Sequence, residues 1–166
     1  MLAIRLTKTF MVAALAAFAG LVTIGNLVDY GSNYAFVQHV LSMDDTFPGN
    51  ALAAARAITD PRLWQLGYGL IIAGEGLTAL LFTIAAAAML AGLRDGRRFA
   101  RAKAWAVVAA GAGFAVWFLG FMVVGGEYFA MWQSHTWNGQ EPAFRFYMTM
   151  LAVIIFVSQA EPVEPG

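Results

Sequence analysis

Apolar residues run through this chain in four long stretches, and the polar residues are largely confined to the gaps between them. The stretches fall at about 9–28, 66–93, 104–124 and 143–157. A membrane-spanning helix needs about 20 mostly apolar residues, so the pattern predicts four spans joined in alternating directions. The predicted fold is all-α, a polytopic membrane protein built as an antiparallel bundle of four transmembrane helices, in a single domain over 1–166. The fourth stretch is short and must draw in residues near its start to cross a hydrocarbon core of about 30 Å. The first admits a second reading, because Ala17-Phe18-Ala19 resembles a signal-peptide cleavage site. Cleavage there leaves an apolar core of roughly six to nine residues, at the short edge of the usual range of about 7–15. Since the apolar run continues to Val28, an uncleaved first span is expected.

The gaps carry structure of their own. In segment 29–62, Tyr34, Val37 and Leu41 recur at helical spacing, as do Phe36, Val40 and Met43. That periodicity predicts a short amphipathic helix lying on the membrane face. Pro48-Gly49 predicts a turn, and Asn50 a cap for a second short helix over 51–58. Asp60-Pro61 predicts a helix start, with the acid as cap and proline in the first turn. Glu141-Pro142 repeats that logic at the end of the second gap, 125–142. The gap at 94–103 is basic, and the tail from Ser158 to Gly166, with two Pro and two Glu, is expected to be disordered.

Charge orients the bundle. Seven of the ten Lys and Arg residues lie in the N-terminus (Arg5, Lys8) or the loop 94–103 (Arg94, Arg97, Arg98, Arg101, Lys103). The positive-inside rule then places both termini in the cytoplasm and the gaps 29–62 and 125–142 outside. Most acids and most Trp and Tyr side chains fall on the predicted outer side, which makes that face the built-up end. A composition of 60% hydrophobic and 12% charged residues is far from the soluble norm of about a quarter charged. With no basic excess beyond one short loop, nucleic acid is not expected as a partner. The lipid bilayer is, together with another membrane protein or a second copy. Absence of Cys removes disulfides, thiolate metal sites and Cys nucleophiles.

Two polar residues stand out within or beside the spans. Glu75, between Gly74 and Gly76, lies roughly 15 Å along its helix from Trp64 at about 1.5 Å per residue, inside the hydrocarbon layer. An ionisable group there costs at least about 2.5–3.5 kcal/mol on insertion scales and normally faces a bundle interior or a cavity. It is either a proton- or cation-binding carboxylate or a protonated side chain acting as hydrogen-bonding glue between helices. Arg145 either snorkels to the outer boundary or reaches inward to Glu75, with Glu127 and Asp29 as rival partners. The flanking glycines, like Ala13, Ala16, Ala17 and Gly20 in the first span and Gly111, Gly113 and Gly120 in the third, predict close helix packing. Trp117, near mid-membrane, is expected in the core, with an indole N–H in need of a partner.

Candidates for an external interface are Asp29, Tyr30, His39, Asp44, Glu127, Trp132, His135 and Trp137. His39 and His135 are the only histidines; neither lies on a span and their spacing matches no zinc signature. No metal and no cofactor is expected, and a haem-binding bundle is disfavoured for the same reason. No catalytic motif is present: no nucleotide loop, no Ser-His-Asp set, no paired carboxylates.

The external stretches carry a resemblance. The segment Asp29-Tyr30-Gly31-Ser32-Asn33-Tyr34-Ala35-Phe36-Val37-Gln38-His39-Val40-Leu41-Ser42-Met43-Asp44 is the first part of it. The second runs Gly125-Gly126-Glu127-Tyr128-Phe129-Ala130-Met131-Trp132-Gln133-Ser134, through Thr136-Trp137-Asn138-Gly139-Gln140 to Phe144-Arg145-Phe146-Tyr147. Together they resemble the bacterial family of predicted small integral membrane proteins labelled domain of unknown function 2165, over nearly the whole chain. That resemblance implies a four-span bacterial inner-membrane protein with no assigned activity, and it supplies no catalytic residues. Three functions compete on these grounds. The first, and the expected one, is a non-catalytic subunit or assembly factor of a membrane complex that uses the aromatic outer surface and the small-residue helix faces. The second is a small proton-linked transporter built on Glu75 and Arg145. The third is a redox or metal-site subunit using His39, His135 and Glu127.

Overall fold

The computed structural model describes residues 2–161. The predicted disorder of 162–166 falls outside the described residues. Helix α1 spans Leu2–Val28, α2 Tyr30–Ser42, α3 Ala53–Arg56, α4 Pro61–Ala91 and α5 Gly96–Phe114. The α5 rod continues as a π-helical segment over Ala115–Tyr128, a short 3-10 turn covers Met131–Gln133, and α6 spans Gln140–Ser158. Among the described residues there is no strand. Four rods are long and apolar enough to cross a membrane: Leu2–Val28, Pro61–Ala91, Gly96–Tyr128 and Gln140–Ser158. They form the predicted antiparallel four-helix bundle, each rod longer than the apolar run that announced it.

Local chemistry sets the helix ends. Asp60 Oδ1 accepts a hydrogen bond from Arg62 N at 2.9 Å ahead of Pro61, satisfying one of the unpaired amides of the first turn. Asn50 Oδ1 accepts from Leu52 N at 3.0 Å, although the helix that follows is only the single turn Ala53–Arg56. At α6 the predicted cap is corrected. Gly139 holds the cap position, Asn138 Oδ1 accepts from Gln140 N, and Glu141 and Pro142 lie within the first turn. Asn138 does the work because its short side chain reaches two residues ahead, an Asx turn.

The two ends of the bundle are built differently. At the end that carries both termini, α1 packs along α4 and α4 along α5 through small and apolar side chains. Val12, Ala19, Phe82, Ala85, Met89, Phe99, Ala106 and Ala109 are fully buried there. The small-residue face expected in α1 is met in part, since Ala16 packs against the core and Gly20 lies close to Ala79. The buried residues are Lys8, Thr9, Val12, Leu15 and Ala19, while Ala13 and Ala17 face outward. Near mid-bundle, Gly74 is required by packing, since a Cβ there would meet Val116 Cγ2 at 2.5 Å.

The tail is also corrected in its described part. Lys8 Nζ donates to Gln159 O at 2.7 Å and Glu161 Oε1 at 2.9 Å, and Lys103 Nζ donates to Gln159 O at 2.8 Å. Three segments far apart in sequence are thereby joined by a buried ionic cluster. Arg5 Nη1 adds a hydrogen bond to Leu93 O at 2.8 Å.

The opposite end is a cap of α2, α3 and the 125–139 segment. The predicted amphipathic face of α2 is turned inward, with Val37, Val40 and Met43 buried. Gln133 Oε1 accepts from Phe47 N and Asn50 Nδ2, Ser134 Oγ donates to Asp45, and Arg56 Nη1 donates to Tyr128 O. These bonds lock the two gap segments to each other.

Candidate functional site

Beneath this cap lies a chamber of about 300 Å³ reached by α1, α2, α4, the π segment and α6. Glu75 lines it from α4, Asn26 from the last turn of α1, Asn33 from α2 and Tyr68 from α4, two turns above Glu75. Asn26 Nδ2 donates to Glu75 Oε2 at 2.6 Å, and Tyr68 Oη donates to Asn26 O at 2.8 Å. Glu75 is only 2% exposed. Its second oxygen, Oε1, makes no hydrogen bond to the described residues. The acid therefore presents one anchored oxygen and one free oxygen at the chamber wall.

The π segment shapes the opposite wall. Its backbone hydrogen bonds reach five residues back rather than four, as in Phe129 N to Val124 O at 3.0 Å. In α5 the buried positions Phe99, Ala102, Lys103, Ala106, Ala109 and Gly113 follow α-helical spacing; in the π segment Trp117, Gly125 and Gly126 are buried. The wider turn brings Trp117, Gly120 and Phe121 in succession onto the inner face, and π-helical distortions are concentrated at functional sites. Trp117 is buried as expected, edge-on to Phe146 with centroids 4.4 Å apart. Its indole N–H has no hydrogen-bond partner among the described residues, and the ring lines the chamber.

The remaining predicted residues disperse. Arg145 does not reach Glu75, Glu127 or Asp29. Its guanidinium pairs with Glu141 one turn earlier on α6, with the Arg145 side chain 74% exposed. The physical reason is reach, because α6 begins at Gln140 and Arg145 emerges on the face turned away from the core. His39 and His135 do not come together. His39 Nδ1 lies 2.9 Å from Asp44 and its ring stacks on Trp137, while His135 is exposed. Among the described residues no group of three His, Asp or Glu side chains gathers that could hold a metal ion. Trp137, expected on the outer surface, is half-buried inside the cap between His39 and Phe36. Trp132 remains outward, 49% exposed and edge-on to Phe47. Asp29 and Glu127 are exposed, and Tyr30 stacks near Tyr34 and Tyr68 beside the chamber mouth.

Sequence reasoning missed Asn26. It is the only amide side chain within the first apolar run, but two residues from that run's end it read as boundary rather than site. Tyr68 was visible only as one of several belt aromatics.

No curated protein and no solved structure matches this chain. A family model does, over residues 4–160. The chain, with its four membrane-length helices, therefore belongs to the family described as predicted small integral membrane protein (DUF2165).

Proposed function

We propose that this protein is a small proton- or cation-linked carrier of the bacterial inner membrane whose working group is Glu75. The observation that carries the proposal is the half-satisfied carboxyl at the wall of a membrane-embedded chamber. One oxygen is held by Asn26, no base pairs with the acid, and the carboxyl lines a chamber that α1, α2, α4, the π segment and α6 all reach. Burial of an ionisable group in a span is costly, and such residues mark ion and substrate pathways. Arg145 has no part in the site. By the positive-inside rule the end bearing Arg5, Lys8 and the loop 94–103 faces the cytoplasm, so the chamber belongs to the outer half. Carriage requires the inner half to open, because Thr78, Phe82, Ala85 and Met89 close α4 below the acid.

The test is proton flux in vesicles reconstituted with the full chain, read by an entrapped pH dye while a cation gradient is imposed. Glu75→Gln keeps an acceptor for Asn26 and removes the charge. Loss of coupled flux in this variant, with an unchanged melting temperature, is the expected result. Flux equal to the unsubstituted protein would sink the reading.

A second reading, an accessory subunit of a membrane complex, is favoured by the exposed pair Trp132 and Phe47 on the cap. Trp132→Ala then releases a stoichiometric partner during mild-detergent purification. Trp137→Ala is a poor probe of that idea, since Trp137 holds the cap together from within.

A further inference from the structure

The Glu75 chamber has an apolar neighbour. A second cavity of about 250 Å³ lies between α2, α4 and the π segment, and its lining is apolar, including Val40, Leu70, Gly120 and Val124. Phe36, Val37, Ile71 and Phe121 line both cavities, which therefore adjoin along these side chains. Each volume approaches the lower end of the range of about 300–1,000 Å³ typical of small-molecule sites. We infer that the two chambers together form one site for an amphipathic organic ammonium ion, its head beside Glu75 and its hydrocarbon tail in the apolar chamber. This rests on the reading of Glu75 as the working group and specifies its ligand.

The chemistry of the lining selects the head. Glu75 is the only charged side chain at the first chamber, and no Lys, Arg or His lines it. Phe18, Phe36, Tyr68, Trp117 and Phe121 supply five aromatic rings around the same space. A carboxylate lined by aromatic side chains and free of bases attracts a cation by charge, and an aromatic lining is the setting in which quaternary ammonium groups are recognised. An anion meets repulsion, and an inorganic cation meets too few oxygens to replace its hydration shell: Glu75 and the amide oxygens of Asn26 and Asn33 fall short of the six to eight that a hard divalent ion takes. The tail is selected by the second chamber, which offers no hydrogen-bonding side chain. Both an aminolipid of the bilayer and a free alkylamine satisfy this chemistry.

The experiment uses the purified full chain in nanodiscs and the series from tetramethylammonium to hexyltrimethylammonium, with hexanol and hexanoate as neutral and anionic controls. Binding is followed by calorimetry and by Trp fluorescence. Affinity is expected to rise about threefold to fourfold per added methylene, the fold-change equivalent to about 0.8 kcal/mol per buried CH₂, until the apolar chamber is full. Hexanoate is expected not to bind, and Glu75→Gln to weaken hexyltrimethylammonium at least tenfold while leaving hexanol unchanged. Gly120→Leu, which places a side chain in the apolar chamber, is expected to cost the hexyl compound tenfold and spare tetramethylammonium, whose binding also certifies the fold. Native mass spectrometry assigns the source. An aminophospholipid retained by the protein and displaced by hexyltrimethylammonium identifies a lipid, and its absence a free amine.

Affinity independent of tail length, with Glu75 still essential for binding and flux, overturns this inference and leaves the carrier reading standing. No ammonium binding, together with full flux in Glu75→Gln, overturns both.

Discussion

The two ends of this bundle use opposite strategies. At the end with the termini, alanines bring α1, α4 and α5 close around Phe82, Met89 and Phe99, a cleft of about 510 Å³ is left between α1 and α6, and a Lys8–Glu161–Lys103 cluster ties the segment after α6 to α1 and α5. The capped end is open-work. It carries a π segment and many rings, and it holds two half-open chambers, one of them walled by a buried acid. Backbone hydrogen bonding does not separate the ends, because each span satisfies its own. The difference lies in side-chain volume and in where charge is placed. At the packed end the buried acid, Glu161, sits between two lysines; at the capped end the buried acid, Glu75, meets an amide and no base. A membrane protein that only needed to be stable would resemble the first end throughout.

The largest expected effect tests this contrast directly. Phe82 is fully buried in the packed half, and Phe82→Ala is expected to cost about 3–5 kcal/mol, the usual toll for an aromatic truncated in a core that collapses poorly. Phe36, which lines both chambers, borders space already empty, so Phe36→Ala creates little new cavity and is expected to cost clearly less than Phe82→Ala. Reversible unfolding in detergent measures both. Equal losses would show that the capped half is as tightly packed as its opposite.

Next in size is the ionic cluster. Glu161→Gln leaves two lysines without their carboxylate and is expected to cost about 1–3 kcal/mol, with the C-terminal turn released to carboxypeptidase. Burial pushes the Glu161 carboxyl up, but hydrogen bonds and charge from Lys8 and Lys103 outweigh it and hold the group below the usual carboxylate range. Because the folded value lies below the unfolded one of about 4.3, the contribution is complete above that value and is lost as pH falls through the folded value. Protection of the tail should therefore stay level from neutral pH down to about 5 and fall only in stronger acid, with Glu161→Gln removing the pH dependence. Tail release already at neutral pH in the unsubstituted chain would refute the latch.

These two experiments also mark what was legible in advance. Four apolar runs dictate four spans because a bilayer admits few alternatives, and the α2 face was readable because Val37, Val40 and Met43 keep helical period. Glu75 declared itself by being an acid where acids are costly. What was not legible depended on the third dimension. Asn26 and Glu75 lie 49 positions apart, and Lys8 and Glu161 lie 153 apart; no local pattern links such pairs. The π segment was hidden as well, since its residues read as an ordinary apolar run.

A smaller effect is expected at the start of α4. Asp60→Ala removes a hydrogen-bonding cap at the surface of the capped end and is expected to cost about 1 kcal/mol. Fraying should be confined to the first turn of α4, read by hydrogen exchange at Arg62 and Leu63. Exchange spreading down to Tyr68 would instead tie the cap to the chamber wall.

The smallest effect is the most discriminating. Composition makes Arg145 the natural counter-ion of Glu75, since it is the one basic residue near the outer end of a short span. The fold sends it elsewhere, into an exposed pair with Glu141 one helical turn away. Pairs of that kind contribute about 0.3–0.5 kcal/mol, so Arg145→Ala should shift the melting temperature barely at all. It should also leave coupled flux and ammonium affinity where they were, because a base absent from the chamber neither neutralises Glu75 nor competes for it. Glu75→Gln and Arg145→Ala therefore form a matched pair in which one abolishes binding and the other is silent. If both abolished it, the acid would be a partner to the arginine in the working state, and the capped end would be built on an ion pair after all. Silence at Arg145 makes Glu75 an acid without a protein counter-ion, and leaves that place to be filled by whatever cation the chamber takes up.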